Sequence, residues 1–358
     1  MNFAIEIHPY KNETLTSWII RNAIANGSEP KSFALAVFKK DSTWYQDIDR
    51  YLPDDKAIQL SSLCSLSLKE IKSLTLEPLI QKLSHKSLED NPYSKWQLIS
   101  PIGLKGAIRT NGFYFCPKCL NSENIYLKKQ WRLAWNIACP IHKNLLILNC
   151  EKCGQIFSPH LVTYNHSHLY SCANCGFDLR KSTTEYVNKE ALIFQEKLSK
   201  VAFSSFKKIP FLAIRKDKKD LFLTLTFFLS LFVHINKKDK YSLVFKQLNL
   251  NNKQHTFKTS NNTIFTRMNI KDKEYLFQLV SRLFKLHTDE IITLLKKTGM
   301  TQSVFKRTFK SLSPTIKYIF NHLDNKTVYK PSRKLSKNIL PKSKEEVDKL
   351  FEDIKDYI

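Results

Sequence analysis

Seven of the eight cysteines in this chain fall between residues 116 and 175, spaced as short pairs. The pairs are Cys116-Pro-Lys-Cys119, Cys139-Pro-Ile-His142, Cys150-Glu-Lys-Cys153 and Cys172-Ala-Asn-Cys175. A C-x-x-C turn sets two sulfurs at adjacent corners of a tetrahedron, and two such turns complete a four-ligand zinc site. Chain order groups Cys116, Cys119, Cys139 and His142 in a first site and Cys150, Cys153, Cys172 and Cys175 in a second. Each loop then closes over a short span, which favours this pairing over an interleaved one. Gly154 and Gly176 directly follow their pairs, where a turn that aims its amides at sulfur visits positive φ. A disulfide framework is the alternative. It suits a small secreted chain, and this one is large, shows no secretory leader and repeats its motif four times. A redox C-x-x-C would need only one such motif. Both ligand sets are closed, so two structural zinc ions are expected, with no open metal position for catalysis.

The chain carries 57 Lys and Arg against 32 Asp and Glu, a formal charge of +25 over 358 residues. Such an excess points to a polyanionic partner, because each cation set on a phosphate releases a condensed counterion. With 42% apolar residues the sequence is a folding one, long enough for several cores. Gly is scarce, at 7 residues. No G-x-G-x-x-G or phosphate-binding loop is present, and neither is H-E-x-x-H, G-x-S-x-G or a paired-carboxylate motif. The expectation is therefore a protein that is not an enzyme. The most apolar stretch, 221–235, is interrupted by Thr224, Thr226, Ser230 and His234 and is too short to span a bilayer. It reads as a buried helix of a cytoplasmic protein with no membrane partner.

Around the cysteines the periodicity is helical. The expected architecture is mainly α with small zinc-ribbon β-hairpins. An N-terminal helix-turn-helix-like domain covers 1–95, a central tandem zinc-binding domain 96–185, and a C-terminal helical domain with a helix-turn-helix 186–325; a basic arm and terminal helix cover 326–358. Residues 13–25 form a helix capped by Asn12, followed by helices over 30–38, 54–64 and 68–74. Residues 126–133 suit a short helix, and 145–148 and 161–164 suit hairpin strands. Lys128, Lys129 and Arg132 form a basic patch beside Trp131 and Trp135, although tryptophans in so small a domain serve equally as core anchors. Cys64 reads as a small buried apolar residue, and His160, His166 and His168 as surface positions on a hairpin. Helices follow over 188–201 and 221–235, with a loop over 249–262. Thr288 then caps a helix over 289–297, Gly299 turns the chain, and Thr301 caps a helix over 302–311. There Val304, Phe305 and Thr308 face inward, while Gln302, Ser303, Lys306, Arg307 and Lys310 project as groove-reading side chains would. A solvated basic face is the competing account of that helix. The arm over 326–344, with Arg333 and Lys334 among its cations, could track phosphates or serve as a solvated linker.

The run Asn12-Glu13-Thr14-Leu15-Thr16-Ser17-Trp18-Ile19-Ile20-Arg21, ending at Asn26-Gly27, resembles the N-terminal motif of TniQ and TnsD proteins. The order of Phe115-Cys116-Pro117-Lys118-Cys119, Cys139-Pro140-Ile141-His142 and Cys150-Glu151-Lys152-Cys153-Gly154 is similar to that family's. The lead Ile7-His8-Pro9-Tyr10 departs from its more proline-rich start. The resemblance implies a protein that selects where a mobile element inserts and does not itself cut or join DNA. One branch reads an attachment site in DNA directly. Another docks, often as a homodimer, on an RNA-guided CRISPR Cascade complex and passes the signal to an AAA+ ATPase and the transposase. The chain's length is closer to the RNA-guided branch, while its positive charge favours direct DNA contact.

Overall fold

A computed structural model describes residues 3–39, 44, 46–84, 98–100, 102, 112–203, 217–236, 241–248, 265–308, 313–325 and 343–348. Backbone pairing decides where the first helix, α1 (Leu15–Ala25), begins. Glu13 is bridged to Lys128, and Thr14 N donates to Leu127 O at 3.0 Å, so the chain stays extended through residue 14. Thr14 is therefore the N-cap, its hydroxyl accepting from Ser17 N. Asn12, expected in that role, instead takes a left-handed φ of 64° in the turn before it. Pro30 opens α2 (Pro30–Phe38), as its locked φ favours, and α3 (Asp54–Ser61) and α4 (Leu68–Ser73) follow. Ser67 and Glu70 satisfy each other's backbone amides at the start of α4. Leu15, Trp18, Ile19, Phe33, Val37, Leu60 and Ile71 form the core of this N-terminal bundle. Cys64 packs half-buried at its edge, with Sγ 3.2 Å from Leu60 O.

Helix α5 (Glu77–Leu83) turns away from that core. Its Ile80 and Leu83 join a larger core built mainly from the C-terminal helices. At the centre lies α8 (Lys218–Ile235), with Leu221, Phe222, Leu225, Phe228 and Phe232 all sealed from solvent. A helix that is apolar around its whole circumference must be surrounded, and each fully buried Leu or Phe contributes about 1.5–3 kcal/mol. Around it pack α5, α10 (Ile270–Leu283), α12 (Gln302–Thr308) and α13 (Pro314–His322). The one buried carboxylate of α8, Asp220, accepts from Thr315 N and Oγ1, so it is not orphaned. The remaining helices are α6 (Pro117–Leu120), α7 (Lys189–Phe203), α9 (Ser242–Gln247) and α11 (Thr288–Lys297). Thr288 is the first residue of α11 and not its cap. His287 holds the cap position, with Glu290 reaching back to its amide.

The middle of the chain carries no extended strand among the described residues. Its backbone is held by isolated antiparallel bridges, among them Phe115 to Ile147, Ala138 to Leu145, Asn149 to Ile156 and Ser171 to Asp178. Residues 145–148 therefore pair as expected but in single steps. Residues 161–164 do not form a strand: two tight turns, Pro159–Leu161 and Tyr164–His166, occupy that stretch. Pro159 starts the first of them, and His160 is drawn inside to stack on Trp44, ring centroids 5.4 Å apart. Residues 129–132 make a single tight turn and not a longer helix, since Lys128 is committed to its bridge with Glu13.

Residues Met1–Asp324 form one compact unit and Asn325–Ile358 another. In the second, residues 344–348 are helical, and Ser343 and Glu346 exchange capping hydrogen bonds. The expected loop over 249–262, Lys310 and the arm residues Arg333 and Lys334 lie outside the described residues. No helix among the described residues is long and apolar enough to cross a membrane.

Candidate metal centre

Three of the four ligand pairs fold into the same turn. Cys150 N donates to Gln155 O and Gly154 N to Cys150 O; Cys172 N donates to Phe177 O and Gly176 N to Cys172 O. Gly154 and Gly176 both have φ of 69°. The Cys139 turn repeats this pattern, with Cys139 N bonded to Asn144 O and Lys143 N to Cys139 O. There the left-handed position is filled by Lys143, at φ 55°. The turn wraps amides around sulfur: the N–H groups of Lys152 and Cys153 point at Cys150, those of Asn174 and Cys175 at Cys172, and those of Ile141 and His142 at Cys139. The Cys116 pair differs, its second cysteine riding on the single helical turn α6 opened by Pro117.

The turns meet in sequential pairs. Cys119 Sγ lies 3.6 Å from Cys139 Sγ, and His142 Nδ1 is 3.5, 3.4 and 3.5 Å from the sulfurs of Cys116, Cys119 and Cys139. Cys150 Sγ is 3.7 Å from Cys175 Sγ, and Cys153 Sγ is 3.6 Å from Cys172 Sγ. A tetrahedral zinc has sulfur–sulfur edges of about 3.8 Å and sulfur–nitrogen edges of about 3.5 Å, given its usual bond lengths. The donor sets fit such an ion. Both groups could therefore hold a metal, consistent with two zinc sites, and the first is the more deeply buried.

The electrostatics of the thiols lead the same way. Contact with Cys116 and Cys139, with burial added, pushes Cys119 upward, while hydrogen bonds from Cys116 and Cys119 hold Cys139 down. Burial pushes Cys172 up to about 12. Four packed thiols cannot all ionise unaided, whereas a coordinated cation deprotonates them outright. Three thiolates, one imidazole and a divalent zinc leave one negative charge at the first site. Lys128 Nζ stands 3.4 Å from Cys119 Sγ and would offset it.

That contact changes the meaning of the expected basic patch. Lys128 is committed to the metal cluster, and its ammonium lies over the rings of Tyr126 and Trp131. Lys129, half-buried, donates to Ser73 O, and its partial burial lowers its pKa. Arg132 is 1% exposed. Its Nη1 and Nη2 grip Asp47 at 3.0 and 2.5 Å, Nη1 reaches Asp49 at 2.8 Å, and Nη2 donates to Ser100 O. Lys128 and Lys129 are half-buried and drawn to Cys119 Sγ and Ser73 O, while Arg132 is withdrawn from the surface into a buried ion pair. Breaking a buried pair of this kind typically costs about 3–5 kcal/mol. His160 is likewise internal and not a surface residue, at 4% exposure. His168, exposed as expected, stacks on Tyr170, and His166 covers Gly176 closely enough that a Cβ there would meet its ring at 2.3 Å.

The structure also places the groove-reading candidates. Val304 and Phe305 are buried, as the pattern requires. Gln302 is partly buried and donates through Nε2 to Leu323 O, so it braces α13 and does not project freely. Ser303 Oγ lies 2.8 Å from Thr301 Oγ1. The side chains of Lys306, Arg307 and Thr308 lie outside the described residues.

Asp47, Asp49 and Glu13 were not visible as partners in the sequence, which gives no sign of which carboxylates will be buried. Glu13, fully buried, accepts from Ser17 Oγ, Tyr10 N and Arg21 Nη1, and Ser17 Oγ in turn accepts from Leu127 N. Trp18 Nε1 donates to Ile7 O at 2.7 Å. The polar residues of the opening motif thus tie α1 to the segment that enters the first cluster.

These features define a helical protein built around two closed Cys/His clusters. Residues 4–146 match the TniQ family model. The match takes in α1–α6 and the whole first ligand set and ends before the second. No curated protein matches the chain. A TniQ domain indicates a transposition-associated target-selection protein.

Proposed function

We propose that this protein is a target-selecting adaptor in DNA transposition and not an enzyme. In this reading it couples an RNA-guided CRISPR Cascade complex at the target DNA to an AAA+ transposition ATPase, and through it to the transposase. It acts in the cytoplasm and is able to pair with a second copy of itself. The observation that carries the proposal is the TniQ match over 4–146, on a segment whose polar motif residues are spent on holding α1 against a closed metal cluster. Two structural zinc ions keep the platform rigid.

Direct recognition of an attachment site is the second reading. It is favoured by the charge of +25 and by the succession of α11, the Gly299 turn and α12, the order a helix-turn-helix would need, with Lys306 and Arg307 on its second helix. The test is affinity capture of the tagged protein from cells expressing the other transposition genes, with and without nuclease. An effector complex or ATPase retained after nuclease is the expected result. If only DNA co-purifies, and nuclease removes it, the adaptor reading falls and direct recognition takes its place.

A further inference from the structure

Tyr186 is the most exposed large apolar side chain among the described residues, at 76%, and Ile141 is 66% exposed. Both flank the first metal cluster. Ile141 sits at the tip of the Cys139–His142 turn. Tyr186 is bridged to Asn144, while Leu145 N donates to Glu185 O and Val187 N to Lys143 O. Residues 185–187 therefore run against the backbone that leaves the cluster, and the tyrosine stands on a stiff base.

Two exposed lysines lie in the turns of the first ligand set. Lys118, between the ligands Cys116 and Cys119, holds Nζ 5.6 Å from the Tyr186 ring. Lys143, next to His142, has its backbone fixed by bonds to Cys139 O and from Val187 N. The neighbouring carboxylate, Glu185, is neutralised by Lys271. An exposed aromatic ring with one lysine over it and a second lysine in the adjoining turn, beside a carboxylate already paired, complements a strand that offers both base faces and phosphates. A duplex offers no free base face to such a ring.

From this arrangement we infer that the Lys118–Ile141–Lys143–Tyr186 face binds single-stranded nucleic acid, one base stacking on Tyr186 and adjoining phosphates meeting Lys118 and Lys143. The metal cluster holds the two lysines and the ring in register without itself touching the strand. This deepens the target-selection reading and rests on it for its biological setting, although the binding itself is a property of the isolated chain.

The test uses the purified full chain, with zinc content as the folding control, and a fluorescein-labelled mixed-sequence oligonucleotide as single-stranded DNA, single-stranded RNA or duplex DNA. Tyr186→Ala is expected to weaken the preferred single strand about tenfold while Tyr186→Phe binds as the parent does. Duplex affinity should change little. Lys118→Ala with Lys143→Gly should flatten the salt dependence of strand binding by about 1.4 in log–log slope. Whichever of DNA and RNA shows the Tyr186 dependence identifies the strand. If Tyr186→Ala loses zinc, Tyr186→Thr replaces it and keeps a strand-forming residue in the bridge. Unchanged strand binding in a zinc-loaded variant, or an equal loss on duplex, overturns the inference. Affinity capture tests the adaptor reading separately, so either idea can fail without the other.

Discussion

Lys273, on α10, is 1% exposed and is the one lysine in the middle of an aromatic seam. Its Nζ has Tyr114 Oη at 3.4 Å and Thr266 O at 3.2 Å, with the rings of Tyr114 and Phe265 on either side. No carboxylate among the described residues compensates it there, and burial lowers its pKa from 10.5 to about 7. The folded chain therefore holds fewer protons than the unfolded chain between pH 7 and 10.5, so stability rises with pH across that window. Below about 7 the full penalty for the buried charge applies. Lys273→Met keeps the length of the stem and removes the charge. The variant should melt at a higher temperature at pH 7, and its melting temperature should climb less than the parent's between pH 7 and 10. Parallel pH profiles for the two proteins would show that Lys273 is hydrated in solution.

At the scale of the element, the repeated metal-binding turn makes a comparison within one molecule. Gly154 and Gly176 have the same φ, but a Cβ on Gly154 would meet nothing within 4 Å whereas one on Gly176 would strike the His166 ring. Gly154→Ala should thus cost only the left-handed backbone, about 1–2 kcal/mol. Gly176→Ala should cost more, because His166 must leave as well. Chemical denaturation of the two zinc-loaded variants measures the difference, and equal losses would mean that His166 moves aside freely. The turns were legible in the sequence because their spacing and glycines are local requirements of the ligand geometry. Lys143 shows the limit of that legibility: the third turn makes the same hydrogen bonds with no glycine to announce it.

At the scale of the molecule, the first cluster is fastened on two sides. Lys129 N bonds to Asn12 O and Leu127 N to Ser17 Oγ, which holds the N-terminal bundle. On the other side Gln195 of α7, 1% exposed, accepts from Ile137 N and Ala138 N and donates to Ala138 O, immediately before Cys139. Ligand folding and metal binding share one free energy, so removing the metal should loosen both flanking cores. Treatment with a strong chelator is expected to release two equivalents of zinc, reduce helical circular dichroism and open α1 and α7 to protease together. Helical signal that survives full metal loss would confine the role of zinc to the middle of the chain.

By itself the sequence determined the local features: the paired ligands, the helices that follow from apolar spacing, and the buried character of α8. These depend on neighbours a few residues apart, which periodicity and spacing record directly. Tertiary structure alone decided the fate of the charges. Lys128, Lys129 and Arg132 look like a surface patch in the sequence, yet their acceptors are Cys119, Ser73 and the Asp47–Asp49 pair. An isolated charge is too expensive to bury. Whether it goes inside is therefore set by partners far away in sequence, and no local pattern of residues encodes where those partners will be.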